Sequence, residues 1–174
     1  HNPISQPIAC VKIHASYAHI SQEKIQEYIQ PHVQKGFYVS DAEELQQQLA
    51  HLPWTKSVTV QRLWPDTLLV RLQEREPVAK WGDHGLIDKQ SELFYPDPET
   101  IPQALPLLRG PTVMAPKILA TYYQMLQTLA SQDIDITEVS VSPRRSWALK
   151  LSNGFEVKLG REQQMLRLKR FVKV

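Results

Sequence analysis

Two stretches of alternating apolar and polar residues lie in the first half of the chain, with two helix-like stretches between them. Residues 8–14 and residues 52–81 alternate with the two-residue period of a strand. Between them, apolar residues recur at helical spacing in one segment after Ser21 and in another that opens at residues 40–43. A turn at Pro65 divides the longer alternation into a predicted hairpin. The order strand, helix, helix, strand, strand predicts a small sheet with one face covered by two helices.

Local signals set the expected bounds of the first helix. Ser21 is a candidate N-cap, and Ile20 can reach Ile25 as a hydrophobic staple. Pro31 and Gly36 are expected to mark its end, because proline interrupts a helix and glycine favours its termination.

The second helix is expected to begin with a capping box. The Ser40 hydroxyl and the Glu43 carboxylate would each accept a hydrogen bond from an amide of the first turn. Apolar residues then follow at helical spacing: Leu45, Leu49 and Leu52.

After Pro77 the pattern changes. Short apolar triplets between Gly, Asp and Ser turns predict a meander of short strands. The proline-rich residues 96–116 predict a loop or an extended connector without regular structure. Pro116 then opens a predicted helix, and a final helix with an apolar stripe and a basic outer face is expected from about Arg161.

Three strands are predicted between these last two helices. The turn between the second and third can be tested by parity, because a two-residue turn would set Lys150 opposite Val157 and mix the two faces. A three-residue loop at residues 152–154 pairs Leu151 with Phe155 instead, with Gly154 free to adopt a positive φ.

Composition bounds the possible functions. The 174 residues are 42% hydrophobic and 22% charged, with a formal net charge of +2. These values are typical of a globular protein, and the charge is too small to indicate nucleic acid as a partner. No apolar run is long enough to cross a membrane. Because the chain starts at His1 rather than Met, we expect a fragment, and the residues leave open whether a targeting or anchoring segment lies upstream. The single cysteine, Cys10, forbids an intrachain disulfide and is expected to be a buried strand residue.

Motifs for catalysis are lacking in the sequence. It holds no glycine-rich phosphate loop, nucleophile elbow or paired-cysteine zinc signature, so neither a cofactor nor a metal is expected. Asp83 and His84 could form a hydrogen-bonded pair as in a hydrolase, but their setting between Gly82 and Gly85 is that of a tight turn. An enzyme is therefore the weaker hypothesis.

Two groups of basic residues, at 144–145 and at 161–173, can each be interpreted either as a binding surface or as ordinary solvated surface. Arg144 and Arg145 beside Trp147 form either a partner-binding group or a solvated strand end. The basic face of residues 161–173 is either the wet side of an amphipathic helix or a surface for anionic lipid. Trp54, Trp64 and Trp81 are expected to pack the fold and the domain junction.

Four stretches together carry a family resemblance. They read LPWTKSVTVQRLWPDTLLVRLQEREPVAKW, LIDKQSELF, SPRRSWALKLSNGFEVKLGR and RLKRFV. Over essentially its whole length the chain resembles the FtsQ/DivIB family of bacterial cell-division proteins. The resemblance implies an α+β fold: a POTRA domain (β-α-α-β-β) over residues 1–75, then a mixed β domain of antiparallel strands with flanking helices over residues 76–174. That second domain would be C-terminally incomplete, because the family continues with further helix and the last strands.

The resemblance also implies a role and partners. Family members are single-pass proteins of the bacterial inner membrane, so this fragment would lie on the periplasmic side, at the division septum. The role would be that of a non-enzymatic divisome scaffold. Its β domain would bind FtsB and FtsL, partly by strand addition to a sheet edge beyond Val174, and its POTRA domain would meet FtsK and other divisome proteins.

Some residues match family positions with a partner-binding role. Arg144 matches a position implicated in contacting FtsB, with Arg145 and Trp147 beside it. Three further residues fall on positions linked to FtsK-dependent recruitment: Ser57, Val60 and Arg62. Glu74 lies near the domain junction.

One departure from the family and one alternative function bear on this interpretation. Ser91 stands where the family usually has glycine, which makes a positive φ less comfortable there. The alternative is a POTRA-type polypeptide-binding module of an outer-membrane assembly or secretion transporter, for which tandem POTRA repeats would be expected; the sequence shows no internal repeat.

Overall fold

The computed structural model describes residues 7–173. The chain divides between Arg75 and Glu76 into two compact units. The first contains, in chain order, β1 (Cys10–His14), α1 (Gln22–Gln34), α2 (Val39–Ala50), β2 (Thr55–Leu63) and β3 (Thr67–Glu74). The predicted order of strands and helices is confirmed, and so is the α+β class.

A three-stranded sheet forms the first unit, in the order β1-β3-β2. Strand β1 runs parallel to β3, and β2 pairs with β3 as the predicted antiparallel hairpin, with Val60 opposite Val70. Val58, Leu68, Val70 and Leu72 of this sheet are buried. The residues between them point to the other face, where Thr59 and Arg71 are exposed.

The prediction that Cys10 is buried is wrong, because Cys10 is exposed. Its register partner is Thr67, and Val11 on the other face is also exposed, at 37%, although it pairs with the fully buried Leu68. Strand β1 is also an edge strand. Alternation alone does not say which of its two faces is covered.

The first helix ends between the two residues expected to mark its end. Pro31 lies inside α1, and the helix closes at Gln34, before Gly36 with its φ of +81°. Buried His32 fixes this last turn through its ring, which lies 3.2 Å from Asp41 Oδ1. At the start of the helix the prediction is confirmed: Ser21 Oγ accepts a hydrogen bond from Lys24 N–H at 3.1 Å.

The capping box predicted for the second helix is wrong. Helix α2 begins one residue earlier than Ser40, with Tyr38 as its N-cap. The Asp41 carboxylate, not Glu43, turns back to accept a hydrogen bond from Tyr38 N–H at 2.6 Å. Asp41 is buried and Glu43 is exposed. The tertiary contacts that bury Asp41 therefore determine where the helix begins.

A mixed seven-stranded sheet forms the second unit, in the order β10-β9-β8-β7-β4-β5-β6. The strands and helices, in chain order, are β4 (Pro77–Trp81), β5 (Gly85–Asp88), β6 (Leu93–Phe94), β7 (Leu107–Arg109), α3 (Ala115–Leu129), β8 (Ile136–Val141), β9 (Trp147–Leu151), β10 (Glu156–Gly160) and α4 (Gln164–Lys173). The predicted meander, the helix after Pro116 and the three strands that follow are confirmed. The final helix begins later than Arg161.

The expectation that residues 96–116 lack regular structure is wrong. Strand β7 lies within them and runs parallel to β4 on one side and to β8 on the other. Leu108 is fully buried, and its carbonyl accepts a hydrogen bond from Gly82 N–H at 2.9 Å. Three residues between prolines show no strand pattern in the sequence, and the strand is stabilised by pairing with β4 and β8, which are distant in the chain.

Helix α3 covers the sheet as the sequence predicts, and its stripe of Ile118, Tyr122, Met125 and Leu129 is buried. The β9–β10 turn also has its predicted form. Leu151 N–H donates to Phe155 O at 2.9 Å, Val157 lies opposite Leu149, and Gly154 has a φ of +90°.

The expectation for the tryptophans holds in part. Trp54 and Trp81 are each 4% exposed, whereas Trp64, at the tip of the β2–β3 hairpin, is 67% exposed. Packing of Trp64 into the fold is therefore wrong, since its ring lies exposed at the hairpin tip beside the Arg62 guanidinium. In residues 7–173, no helix combines the length and the apolar character needed to cross a membrane.

Candidate partner-binding surfaces

The loop between β8 and β9 presents Arg144 and Arg145 to solvent. Its backbone is fixed by three hydrogen bonds: Arg145 N–H to Ser142 O at 2.8 Å, Ser142 N–H to Ser146 O at 2.9 Å, and Ser146 N–H to Ser142 Oγ at 3.0 Å. Arg145 holds a φ of +70°. Among residues 7–173 neither guanidinium has a hydrogen-bond or ion-pair partner. The loop therefore has a hydrogen-bonded backbone that carries two arginines without an internal partner.

Trp147, predicted to bind a partner with these arginines, lies beneath the loop. It is the first residue of β9 and is 3% exposed, inside the hydrophobic core of the second unit. The structure therefore brings the two arginines together at the surface and places the indole ring in the core, where it supports the loop.

A second set of charges on the same sheet is paired internally. Arg109 lies between two carboxylates, with Nη2 2.7 Å from Asp83 Oδ1 and Nε 3.2 Å from Glu138 Oε1. Lys150 Nζ reaches Glu138 Oε2 at 3.0 Å. The hydrogen bond from Arg109 holds the pKa of Asp83 below its usual value. Because Asp83 is engaged by Arg109 in an exposed turn, the hypothesis of a catalytic pair with His84 gains no support from the geometry.

The three residues of β2 predicted to serve recruitment do not share one face. Ser57 lies on the solvent face, where its hydroxyl donates to Gln73 Oε1 at 3.3 Å. Val60 is half-buried, and its backbone N–H donates to Gln46 Oε1 of α2 at 3.0 Å. Since β2 is an edge strand, this side-chain amide occupies one of its free backbone groups.

Arg62 is bound within its own unit. Its Nη1 donates to Phe37 O at 3.0 Å and its Nη2 to Pro65 O at 3.4 Å. The guanidinium also lies over the Trp64 ring, 4.3 Å from the centroid. Arg62 therefore shapes the hairpin tip.

Glu74 is a buried internal acceptor. It receives hydrogen bonds from Ser16 Oγ at 3.1 Å and from the backbone N–H of His19 at 2.9 Å. The structure places this carboxylate against the segment between β1 and α1 and leaves it 7% exposed.

A further polar cluster joins α1 to α2. His32 Nδ1 lies 3.2 Å from Asp41 Oδ1, His32 Nε2 lies 3.0 Å from Gln48 Oε1, and Lys35 Nζ lies 3.6 Å from Asp41 Oδ1. Glu44 is close enough to complete a group of metal-ligating atoms. Both ring nitrogens of His32 already face protein oxygens, and the Lys35 ammonium pairs with the Asp41 carboxylate. We therefore interpret this cluster as an internal contact that joins the two helices, not as a metal site.

A β-α-α-β-β unit followed by a mixed sheet defines a protein with a POTRA domain and a β-rich domain. Sequence comparison gives the family. The model of the FtsQ-type POTRA domain matches residues 6–75, and that of the C-terminal region of cell division protein FtsQ/DivIB matches residues 79–174. The chain belongs to the FtsQ/DivIB family of cell-division proteins.

Individual relatives agree with this assignment. The chain is 36% identical over 172 residues to cell division protein FtsQ of Coxiella burnetii, covering 99% of this chain and 71% of the relative. It is 35% identical over 170 residues to FtsQ of Allochromatium vinosum, covering 98% and 68%. It is 39% identical over 140 residues to FtsQ of Escherichia coli K12, covering 79% and 51%. Both matching domain models are of FtsQ type, which favours cell division over the transporter alternative.

Proposed function

We propose that this chain is the partner-binding region of a non-enzymatic divisome scaffold that acts on the periplasmic side of the inner membrane at the septum. In this proposal a membrane anchor precedes the chain, the second unit binds FtsB and FtsL, and the first unit meets FtsK and other divisome proteins. Membership of the FtsQ/DivIB family supports the role. The observation that carries the binding site is the braced, unpaired pair Arg144 and Arg145.

Their chemistry indicates an acidic partner. A guanidinium presents parallel N–H donors that match a carboxylate in a bidentate way. Side chains that are already solvated and unpaired lose no internal contact when a partner carboxylate arrives. The contrast is Arg109, whose two carboxylate neighbours satisfy it within the sheet.

Strand order supports strand addition on the same side of the sheet. Among the described residues, β10 pairs only with β9, so its other edge faces no strand, and side chains of α4 bind two carbonyls at its end, Leu159 O and Gly160 O. The loop that carries Arg144 joins β8 to β9, within two strands of that edge. We assign the β10 side to sheet extension by the partner, with the arginines selecting the partner by charge.

In the first unit we propose unequal roles for the predicted recruitment residues. Ser57 is exposed and suited to direct contact, whereas Val60 and Arg62 shape the β2 edge and the hairpin tip through Gln46 and Phe37. Glu74 orders the segment that leads into α1 and acts on partners only through it.

The test of the β-domain site is the affinity of the complete periplasmic protein for the periplasmic segment of FtsB, measured by titration calorimetry. Arg144→Glu is expected to weaken binding by about tenfold or more, since it replaces a charge-assisted contact with repulsion. Lys117→Glu, an equal change of charge at an exposed position of α3, is the matched control. Equal affinities for the wild type and Arg144→Glu would remove the loop from the interface.

Recruitment is tested separately by fluorescence localisation in dividing cells. Ser57→Glu is expected to reduce septal signal, while Thr59→Glu, exposed on the same face of β2, reports the effect of charge alone. Arg62→Ala is expected to reduce septal signal less sharply, because it alters the tip and not the contact itself. Normal localisation of all three variants would count against recruitment through β2.

A further inference from the structure

The tip of the β2–β3 hairpin exposes a large aromatic ring. The chain has four tryptophans. Three are between 3% and 4% exposed, and the fourth, Trp64, is 67% exposed. Leu63 beside it is 36% exposed. A bulky indole left in water while its three counterparts are packed away indicates a surface that is covered in function.

The ring is held outward by its neighbours. The Arg62 guanidinium stacks on it at 4.3 Å and is itself fixed by donation to Phe37 O at 3.0 Å. The tip thus presents two large apolar side chains, Leu63 and Trp64, beside one internally bonded cation, Arg62.

The chain enters the first unit beside this tip. The backbone amides of Ala9 and Cys10 donate to Asp66 O at 2.8 and 3.2 Å, so the start of β1 is pinned to the hairpin turn. In the proposed function a membrane anchor precedes the chain, so the chain runs from the bilayer to a point beside this tip.

We propose that the hairpin tip, Leu63 and Trp64 with Arg62 behind them, seats in the headgroup layer of the membrane and so orients the first unit. This rests on the membrane anchorage in the proposed function. Tryptophan suits that layer, because it joins an apolar body to a polar end. The Arg62 guanidinium is already donated to two carbonyls, so the free surface of the tip is aromatic and aliphatic, which fits lipid better than an acidic peptide.

The experiment reads Trp64 directly, since the other three tryptophans are buried. The chain is tethered by an N-terminal histidine tag to vesicles of phosphatidylethanolamine and phosphatidylglycerol that contain a nickel-chelating lipid. Tethering supplies the local concentration that a natural anchor would give. Lipids brominated near the headgroup are expected to quench the red-edge emission, and unbrominated vesicles to shift it to the blue. Trp64→Phe removes both signals.

A matched variant tests whether the contact belongs to the tip. Gln73 is exposed on β3, six residues from Thr67 at the tip end, which is about 20 Å along the strand. Gln73→Trp in the Trp64→Phe background is expected to stay unquenched. Quenching of neither indole, or of both equally, overturns the proposal. FtsB affinity of the complete periplasmic protein reports on Arg144 in the second unit, so failure here leaves that part of the proposed function standing, and the reverse also holds.

Discussion

Glu74 contacts both the backbone and the ring of His19. Its Oε1 accepts the backbone N–H of His19 at 2.9 Å and lies 3.1 Å from the ring Nδ1. The same ring stacks on Trp54 with centroids 3.7 Å apart and planes within 1°. The end of β3, the segment before α1 and a buried tryptophan are thereby joined, which explains a buried carboxylate at a position predicted to meet partners.

Glu74→Ala is expected to lower the free energy of unfolding of the first unit by about 3 kcal/mol, because several buried donors lose their acceptor. Urea unfolding measures this. Glu27→Ala is the control: Glu27 is exposed in the same unit and forms a surface ion pair with Lys24, which is worth about 0–1 kcal/mol. A stable Glu74→Ala protein that fails to reach the septum would instead assign Glu74 to direct contact.

Asp41 predicts a dependence of stability on pH. Burial alone would raise its pKa, but the Tyr38 N–H, His32 and Lys35 outweigh burial and the pKa falls below the usual 3.8. A carboxyl with a lowered folded-state pKa contributes stability above its unfolded value, and this is lost as pH falls through the folded value. The stability difference between the wild type and Asp41→Asn should be present at neutral pH and shrink below about pH 4.

The two candidate caps of α2 are distinguished by the same measurement. Asp41→Ala should cost about 1–2 kcal/mol at neutral pH, whereas Ser40→Ala and Glu43→Gln should each cost less than about 0.5 kcal/mol. A larger loss for Ser40→Ala than for Asp41→Ala would restore the capping box predicted from the sequence.

Trp147→Ala is expected to destabilise the second unit by about 3–5 kcal/mol, because the ring lies in the core. Trp147→Phe should retain most of the stability and, with the loop intact, most of the affinity for FtsB. Loss of FtsB binding by a fully stable Trp147→Phe protein would show that the indole itself meets the partner.

Ser91 adopts a φ of +65° where the family usually has glycine. The turn is compensated by Asp88, whose Oδ1 accepts from Gln90 N–H and Glu92 N–H, both at 2.9 Å. Ser91→Gly should raise the free energy of unfolding by about 0.5–1 kcal/mol, since glycine tolerates this conformation. Gln90→Gly, at a position without positive φ, should lower it; a gain from both would mean that strain at Ser91 is not the cause.

The sequence predicted what depends on local pattern and missed what depends on tertiary context. The β2–β3 hairpin and the three-residue loop before Phe155 follow from parity alone. Strand β7 was not predicted, because three residues among prolines are too few to show a two-residue alternation. They form a strand because they pair with β4 and β8. Cys10 was misassigned because alternation does not identify the covered face of an edge strand.

For the candidate sites, the sequence identified the types of residue involved but not whether their side chains are exposed or paired. Arg144 and Arg145 were recognisable as a basic pair, and their lack of internal partners could be seen only in the structure. Trp64 and Trp147 look alike in sequence, yet one is 67% and the other 3% exposed. The sequence holds no signal for the difference except that Trp64 precedes the Pro65 turn.

The central claim is that Arg144 meets an acidic residue of FtsB, and a double-mutant cycle measures that contact most directly. Each acidic residue of the periplasmic FtsB segment is changed to arginine and titrated against the wild type and Arg144→Glu. We predict one pairing in which the reversed charges restore binding, with a coupling energy of about 1.5 kcal/mol or more. If every pairing is additive within about 0.5 kcal/mol, the claim is contradicted.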